Sequence, residues 1–171
     1  MKDVCHRELE FAKVVQGINT KLSKVYSELS DSKYQSVLLT SSGTGAVEAM
    51  LSTFIPKDSI TLVIDNGVYG ARMERMLELS NRRHKILKFD WKKQIDVDLI
   101  DKKLKECKEI ENLVLVHHET TTGRLNQLFE IGKVCKEHNV KIFLDAVSSF
   151  GAERILAEDI NLAALAATAN K

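Results

Sequence analysis

The segment ITLVIDNGVYGARMERMLELS, residues 60–80, decides the fold prediction because it passes from an apolar run through a turn into a helical pattern. The run ITLVID has the length and composition of a buried strand. Asn66 and Gly67 suit a turn that needs a positive φ. The segment is therefore predicted to form one strand, turn and helix.

The same order recurs on both sides of this segment. The predicted strands are SVLLT (36–40), ITLVID (60–65), HKILKFD (84–90), NLVLVHH (112–118) and VKIFLD (140–145). Helical patterns separate them, which is typical of parallel β-α-β units, and their near-continuous apolar character indicates a sheet covered by helices on both faces. We predict the α/β class with a mainly parallel sheet. A sixth run, LAALAAT (162–168), fits either another strand or a buried helical turn.

An amphipathic helix is predicted before the first strand, from about residue 7 to 30. Its apolar positions recur at intervals of three and four residues and are Phe11, Val14, Ile18, Leu22, Val25 and Leu29. No proline-rich, glycine-rich or repetitive linker interrupts the sequence. We therefore expect residues 1–171 to form one domain.

Composition excludes several classes of protein. The chain has 25 Lys and Arg against 24 Asp and Glu, and no block concentrates either sign, so neither nucleic acid nor a membrane surface is an expected partner. No apolar run is long enough to cross a bilayer, and the N-terminus has no apolar signal core. The three cysteines lack ligand spacing, so we expect a reduced, cytoplasmic setting and no metal site.

The turn after SVLLT contains SSGTG, which places small and hydroxyl residues at the start of a helix. Free amides and the helix dipole favour an anion there, so Ser41, Ser42 and Thr44 indicate a phosphate cup; an ordinary capped turn is the alternative. The segment lacks the lysine of GxxxxGK[ST] and the spacing of GxGxxG, which argues against those nucleotide sites.

Other polar or aromatic residues also follow strands, where ligands bind in such sheets. Tyr69 presents a flat ring, unless it packs against its own helix. His117 and His118 are adjacent and would point to opposite faces, which makes them poor joint metal ligands. Glu119 and the threonines 120–122 supply donors and acceptors for a polar ring.

Asp145 and Lys171 complete this pattern. An acid that ends an apolar strand can hold a cationic group such as a protonated pyridine nitrogen, although a capping role is equally consistent with Asp145. Lys171 follows an apolar run and could serve as an imine-forming amine, or it could be solvated. Together with the phosphate cup and Tyr69, these residues describe a site for pyridoxal 5'-phosphate.

Six stretches carry a family resemblance: CHRELEF (5–11), SVLLTSSGTGAVEAML (36–51), NGVYGARM (66–73), VHHETTTGRLN (116–126), DAVSSFGAE (145–153) and ATANK (167–171). Through them the sequence resembles the class V, fold-type I aminotransferases over nearly its whole length. HETTTG and DAVSSFG are the specific motifs. The resemblance implies pyridoxal 5'-phosphate as cofactor, a homodimer, and the large cofactor-binding domain of this fold.

The resemblance also implies roles for individual residues. The cofactor-binding set is Ser42, Gly43, Thr44, Tyr69, Thr120, Asp145, Thr168, Asn170 and Lys171. Lys171 would be the Schiff-base lysine, and Asp145 would be the partner of the pyridine nitrogen; these two are the catalytic residues. Tyr69 would stack on the ring, Thr120 would contact its polar edge, and the remaining residues of the set would hold the phosphate.

The implied reaction transfers the amino group of 2-aminoethylphosphonate to pyruvate and gives phosphonoacetaldehyde and L-alanine. The alternatives are an aminotransferase of the alanine–glyoxylate or serine–pyruvate type, or a catalytically inactive fragment of such an enzyme. Arg124 and Gln127 stand where the family has an apolar residue and a proline, so the turn is expected to differ locally. Residues 1–171 are expected to be a large domain that is truncated at Lys171 and lacks the smaller C-terminal domain.

Overall fold

The computed structural model describes residue 5, residues 7–26 and residues 34–170. The chain forms two compact units, Met1–Thr40 and Ser41–Lys171. That residues 1–171 are one truncated large domain stays a prediction. Within the described ranges, no helix has the length and apolar character that crossing a membrane requires.

The first unit contains helix α1 (Leu9–Leu22). It is shorter than the predicted helix, because the chain turns after Leu22, and residues 27–30 lie outside the described residues. Ser36 in the same unit donates its hydroxyl to the carbonyl oxygen of Asn19 at 3.0 Å. The periodicity of the apolar residues therefore predicted the helix but not its C-terminal end.

The prediction of a strand over residues 36–40 is wrong. None of these residues is in a strand, and Val37, Leu38 and Leu39 are 74%, 46% and 50% exposed. Among the described residues of this unit, no strand is present to pair with them. A leucine and β-branched run favours an extended backbone, but only a neighbouring strand makes it part of a sheet.

The second unit is an α/β sheet with helices between its strands. Its helices are α2 (Gly43–Phe54), α3 (Val68–Leu79), α4 (Val97–Glu106) and α5 (Leu128–Glu137). Its strands are β1 (Ile60–Asp65), β2 (His84–Lys88), β3 (Ile110–Val116), β4 (His118–Glu119), β5 (Arg124–Leu125), β6 (Lys141–Asp145) and β7 (Leu162–Ala166).

Five of these strands form one parallel sheet in the order β2-β1-β3-β6-β7, whereas β4 and β5 form a separate antiparallel pair. The predicted parallel sheet is confirmed. Its fifth member is β7, so the run LAALAAT contains a strand rather than a helical turn. The last two residues of NLVLVHH are not part of β3, which ends at Val116, and His118 already belongs to β4.

Helices cover both faces of the sheet, as predicted. Helices α2 and α3 pack on one face, where the core includes Leu51, Met73, Val63, Val114 and Phe143. The alternate strand residues, such as Leu62, Leu113 and Leu144, are fully buried and face the other way. On that side α5 packs against β6 and α4 packs against α5.

Helix α3 starts almost directly on the end of β1. A Cβ atom at Gly70 would lie 2.7 Å from the carbonyl oxygen of Ile64 and 3.0 Å from the Cα of Asp65. Both neighbours are backbone atoms that cannot move aside without disturbing the strand. The absence of a side chain at Gly70 therefore lets the first turn of α3 lie over the carboxyl end of the sheet.

The turn before α5 carries the two departures from the family pattern. Arg124 donates from Nη1 to Oε1 of Gln94 at 2.8 Å. Gln127 is the N-cap of α5 at φ −73°, but its side chain does not cap the helix, and its buried Oε1 has no partner in the described part of the chain. Gln127 thus has a backbone angle that proline adopts and a side chain that the turn leaves unsatisfied.

We expect Gln127→Pro to raise the free energy of unfolding by about 0.5–1 kcal/mol, because proline fixes a φ that the turn already uses. Urea titration followed by circular dichroism measures this change. Gln127→Ala is the matched control, since it removes the buried oxygen without fixing φ. A proline variant less stable than the alanine variant would show that the turn needs the amide of residue 127.

Candidate active site

A pocket opens at the carboxyl edge of the sheet. Its walls include Gly43, Thr44, Tyr69, Arg72, His118 and Asp145. The lining combines apolar side chains with a few polar groups, as is typical of small-molecule sites. The sheet topology brings these residues together, although they are distributed over most of the second unit.

The first turn of α2 forms one side of the pocket. Ser42 is the N-cap, and its hydroxyl accepts a hydrogen bond from the amide of Gly45 at 3.1 Å. Among the described residues, the amides of Gly43 and Thr44 donate to no protein acceptor. These two N–H groups belong to the unpaired first turn of a helix, where an anion is stabilised.

Gly43 lies close to the chain that follows β6. A Cβ atom there would approach the two methyl groups of Val147 to 3.0 and 3.1 Å and the Cβ of Thr168 to 3.5 Å. The start of α2 is therefore seated against the ends of β6 and β7. Thr168 is beside the cup, and its hydroxyl accepts a hydrogen bond from the amide of Asn170 at 3.4 Å.

Tyr69 supplies an aromatic wall, and Arg72 links that wall to α2. The guanidinium carbon of Arg72 is 4.8 Å from the centroid of the Tyr69 ring, and its Nη1 donates to the hydroxyl of Thr44 at 3.2 Å. Sequence reasoning missed Arg72. The signal was available, because residues three apart in a helix lie on the same face.

Asp145 lies at the carboxyl edge of the sheet, between the ends of β3 and β7. It is the last residue of β6, is 7% exposed, and pairs in register with Val116 on one side and Ala166 on the other. Its Oδ1 accepts a hydrogen bond from the amide of Val147 at 3.0 Å. The residue therefore caps the following turn and also lines the pocket. The capping role that the sequence suggested and a role in binding a cationic group are thus compatible.

The two adjacent histidines have different surroundings, as their alternation predicts. His117 is 3% exposed, and its Nδ1 lies 2.9 Å from Oγ of Ser149. His118 is half-buried and faces the pocket. Sequence reasoning did not assign His118 to the site, because it considered the two histidines only as joint metal ligands.

The HETTTG segment is arranged differently from the prediction. Glu119 is fully buried, and its carboxylate accepts from the amide of Tyr69 at 3.0 Å instead of projecting into the pocket. Thr120 is exposed and is not part of the pocket wall. Lys171 lies outside the described residues, so its role stays a prediction.

The comparisons with known proteins agree with this architecture. Residues 2–171 match the family described as aminotransferase class-V, and the chain belongs to that family. Its fold is that of the fold-type I aminotransferases. Pyridoxamine-pyruvate aminotransferase from Mesorhizobium loti superposes with a TM-score of 0.87 at 23% identity, covering 98% of this chain and 42% of that one. An aspartate aminotransferase from Thermus thermophilus gives 0.88 at 21% identity, covering 100% and 47%.

Two curated relatives are more similar in sequence. The chain is 40% identical over 171 residues to the bifunctional phosphonoacetaldehyde hydrolase/aminoethylphosphonate transaminase of Clostridioides difficile, covering all of this chain and 27% of that protein. It is 35% identical over 172 residues to the 2-aminoethylphosphonate–pyruvate transaminase of Phocaeicola vulgatus, covering 47% of that protein. The chain thus spans about half the length of these relatives, or less.

The residues of the pocket fit pyridoxal 5'-phosphate, the cofactor that the family implies. Two unpaired amides at the start of α2 suit the phosphate, and Tyr69 supplies a flat face for the ring. The buried Asp145 supplies an anion for a basic ring nitrogen. These three features line one pocket and come from three different elements.

The stability of the protein is expected to depend on His117 in mildly acidic solution. Burial of the imidazole, with a smaller contribution from His118, lowers the pKa of His117 from 6.5 to about 4. Between these values the unfolded chain binds a proton that the folded protein does not, so the free energy of unfolding falls as the pH falls. The loss due to His117 is about 2 kcal/mol near pH 5.

Unfolding titrations from pH 7 to 4.5 on the wild type and His117→Asn measure this dependence. Asparagine offers an amide near the position of Nδ1 but does not titrate, so the variant should lose less stability as the pH falls. His84→Asn, in β2, controls for removal of a half-buried imidazole. Parallel curves for the wild type and His117→Asn would contradict a neutral His117 in the folded protein.

Proposed function

We propose that this chain is the cofactor-binding part of an enzyme that transfers the amino group of 2-aminoethylphosphonate to pyruvate, giving phosphonoacetaldehyde and L-alanine. One observation carries the proposal: a pocket suited to pyridoxal 5'-phosphate occurs in a chain similar over its full length to proteins named for this reaction. The similarity supplies the substrates, and the pocket supplies residues for the chemistry.

Asp145 would hold the protonated nitrogen of the cofactor ring. When bound, pyridoxal 5'-phosphate supplies a ring that withdraws electrons from the carbon that loses a proton. The position of Asp145 between two neighbouring strands supports this role, because a carboxylate fixed by a sheet keeps its place during the reaction. Burial strengthens its interaction with a cation.

The phosphate of the cofactor would bind at the start of α2. The free amides of Gly43 and Thr44 are the donors, and the Ser42 hydroxyl and Thr168 flank them. Arg72 donates to the hydroxyl of Thr44 and brings a positive charge to the same side of the pocket. Tyr69 would stack on the ring. The exposed Thr120 and Asn170 are the residues of the proposed set that the pocket geometry supports least.

Lys171 would bind the cofactor covalently. It would then take a proton, as general base, from the substrate carbon that bears the amino group and, as general acid, pass that proton to the cofactor. Its support is the family sequence pattern ATANK (167–171), which directly follows β7 and contains Thr168. A homodimer and a cytoplasmic location belong to the same proposal. The free state of Cys5, Cys107 and Cys135 supports the latter.

Adding pyridoxal 5'-phosphate to the chain should produce the visible absorbance band of lysine-bound cofactor. Lys171→Ala should abolish the band, whereas Lys102→Ala, an exposed lysine on α4, should retain it. A folded wild-type chain without the band would contradict the cofactor assignment. A band that survives in Lys171→Ala would show that another lysine binds the cofactor.

Asp145→Asn should weaken cofactor binding about tenfold to a hundredfold, since it removes a charged partner worth about 1.5–3 kcal/mol. A fluorescence titration with the cofactor measures this change. Asparagine can still accept the hydrogen bond from Val147, so the turn should be retained. Unchanged affinity would show that Asp145 acts only as a cap.

Pairs of amino donor and acceptor test the substrates. With the complete enzyme that contains this chain, we expect 2-aminoethylphosphonate and pyruvate to give phosphonoacetaldehyde and L-alanine in equal amounts, measured by chromatography after derivatisation. L-Serine with pyruvate and L-alanine with glyoxylate are the comparison pairs. Turnover of either comparison pair without phosphonoacetaldehyde formation would overturn the substrate assignment and leave the cofactor assignment intact.

A further inference from the structure

The first turn of α3 is held by a carboxylate from a distant strand. Glu119, in β4, is fully buried, and its Oε2 accepts hydrogen bonds from the amides of Tyr69 at 3.0 Å and Gly70 at 3.3 Å. A buried carboxylate is costly unless hydrogen bonds satisfy it. The start of α3 supplies those bonds and a favourable dipole.

Thr121 completes this arrangement. Its hydroxyl donates to Oε1 of Glu119 at 2.6 Å and accepts from the amide of Val68 at 3.2 Å, while its own amide donates to Oε1 at 3.3 Å. The amides of the first three residues of α3 therefore all have acceptors. Both carboxylate oxygens are used, which a neutral amide at position 119 could not reproduce.

Gly67 makes room for the carboxylate. It is the N-cap of α3 and has no side chain to serve as a cap, and a Cβ atom there would lie 2.3 Å from Cγ and 2.4 Å from Cδ of Glu119. A local cap of the usual serine or aspartate type would occupy that space. Glu119, about fifty residues away in the sequence, thus caps α3 in place of the side chain that an N-cap residue usually provides.

We propose that Glu119 is the positioning residue for Tyr69, fixing the aromatic wall of the pocket by holding the backbone amide of that residue. The bond reaches the tyrosine itself, so displacement of the carboxylate would shift the base of the ring. The consequence for the cofactor rests on the function proposed above. The hydrogen bonds between Glu119 and the first turn of α3 do not depend on that function.

The same interaction bears on where an anion can bind. Helices α2 and α3 both begin at the carboxyl edge of the sheet, and each would otherwise offer unpaired amides to a phosphate. Glu119 and Thr121 occupy the amides of α3, whereas those of Gly43 and Thr44 in α2 have no acceptor among the described residues. Glu119 therefore directs a phosphate to α2 and leaves Tyr69 for the ring.

Amide hydrogen exchange, measured without cofactor, tests whether Glu119 fixes the first turn of α3. In Glu119→Gln we expect exchange at Val68, Tyr69 and Gly70 to accelerate at least tenfold relative to the core amides of β3. Asn112→Ala is the matched control, because it removes a buried 2.8 Å hydrogen bond to Ser59 at the opposite end of β3. Equal acceleration in the two variants would overturn the proposal.

If Glu119→Gln does not fold, Thr121→Val keeps the test decisive. Valine removes the hydroxyl that bonds both Oε1 and the amide of Val68 but leaves the carboxylate in place. We expect the same amides to exchange faster, by a smaller factor. Unchanged exchange at the start of α3 in this variant would contradict the arrangement.

A double-mutant cycle on cofactor affinity tests the action through Tyr69. Glu119→Gln should weaken binding of pyridoxal 5'-phosphate about tenfold in the wild type and have no further effect in a Tyr69→Ala background. Additive losses would overturn the positioning role. A wild-type chain that binds no cofactor would refute the proposed function, and the hydrogen-exchange result would then decide on Glu119 by itself.

Discussion

The parallel pairing of β3 with β6 is the interaction on which the pocket depends. It sets Val116 beside Asp145, and the first residue after β3 continues the ladder, because the amide of His117 donates to the carbonyl oxygen of Asp145 at 2.9 Å. Both strands end at the same edge, so the segments that follow them leave the sheet side by side. A shift of one residue would turn Asp145 to the opposite face of the sheet.

The polar groups at this edge follow from how each helix start is satisfied. Helix α3 uses the carboxylate of Glu119, and α2 uses the hydroxyl of its own Ser42 for one amide and leaves the amides before it unpaired. Of these two helix starts, only that of α2 has amides without an acceptor among the described residues, so α2 is the one that attracts an anion. The aromatic ring of Tyr69 and the carboxylate of Asp145 then determine how a bound ring can lie.

The sheet was largely predictable because its strands are local apolar runs of the right length. One predicted strand was wrong and one run was left open, and both outcomes have physical causes. The run SVLLT has strand composition but no strand partner among the described residues of its unit, and LAALAAT was ambiguous because alanine and leucine suit a helix as well as a strand. Composition describes a preference of the backbone, and pairing decides whether that preference is realised.

The sequence alone determined the α/β class, the alternation of strands and helices from β1 to β6, and the positions of Tyr69 and Asp145 after their strands, since these depend on periodicity and turn chemistry along the chain. Only the tertiary structure decided that Glu119 caps α3, that Arg72 joins Tyr69 to Thr44, and that His118 faces the pocket whereas Thr120 does not. The Glu119 and Arg72–Thr44 contacts connect residues far apart in the chain. Hydrogen bonds of this kind depend on distances that exist only once the strands have paired.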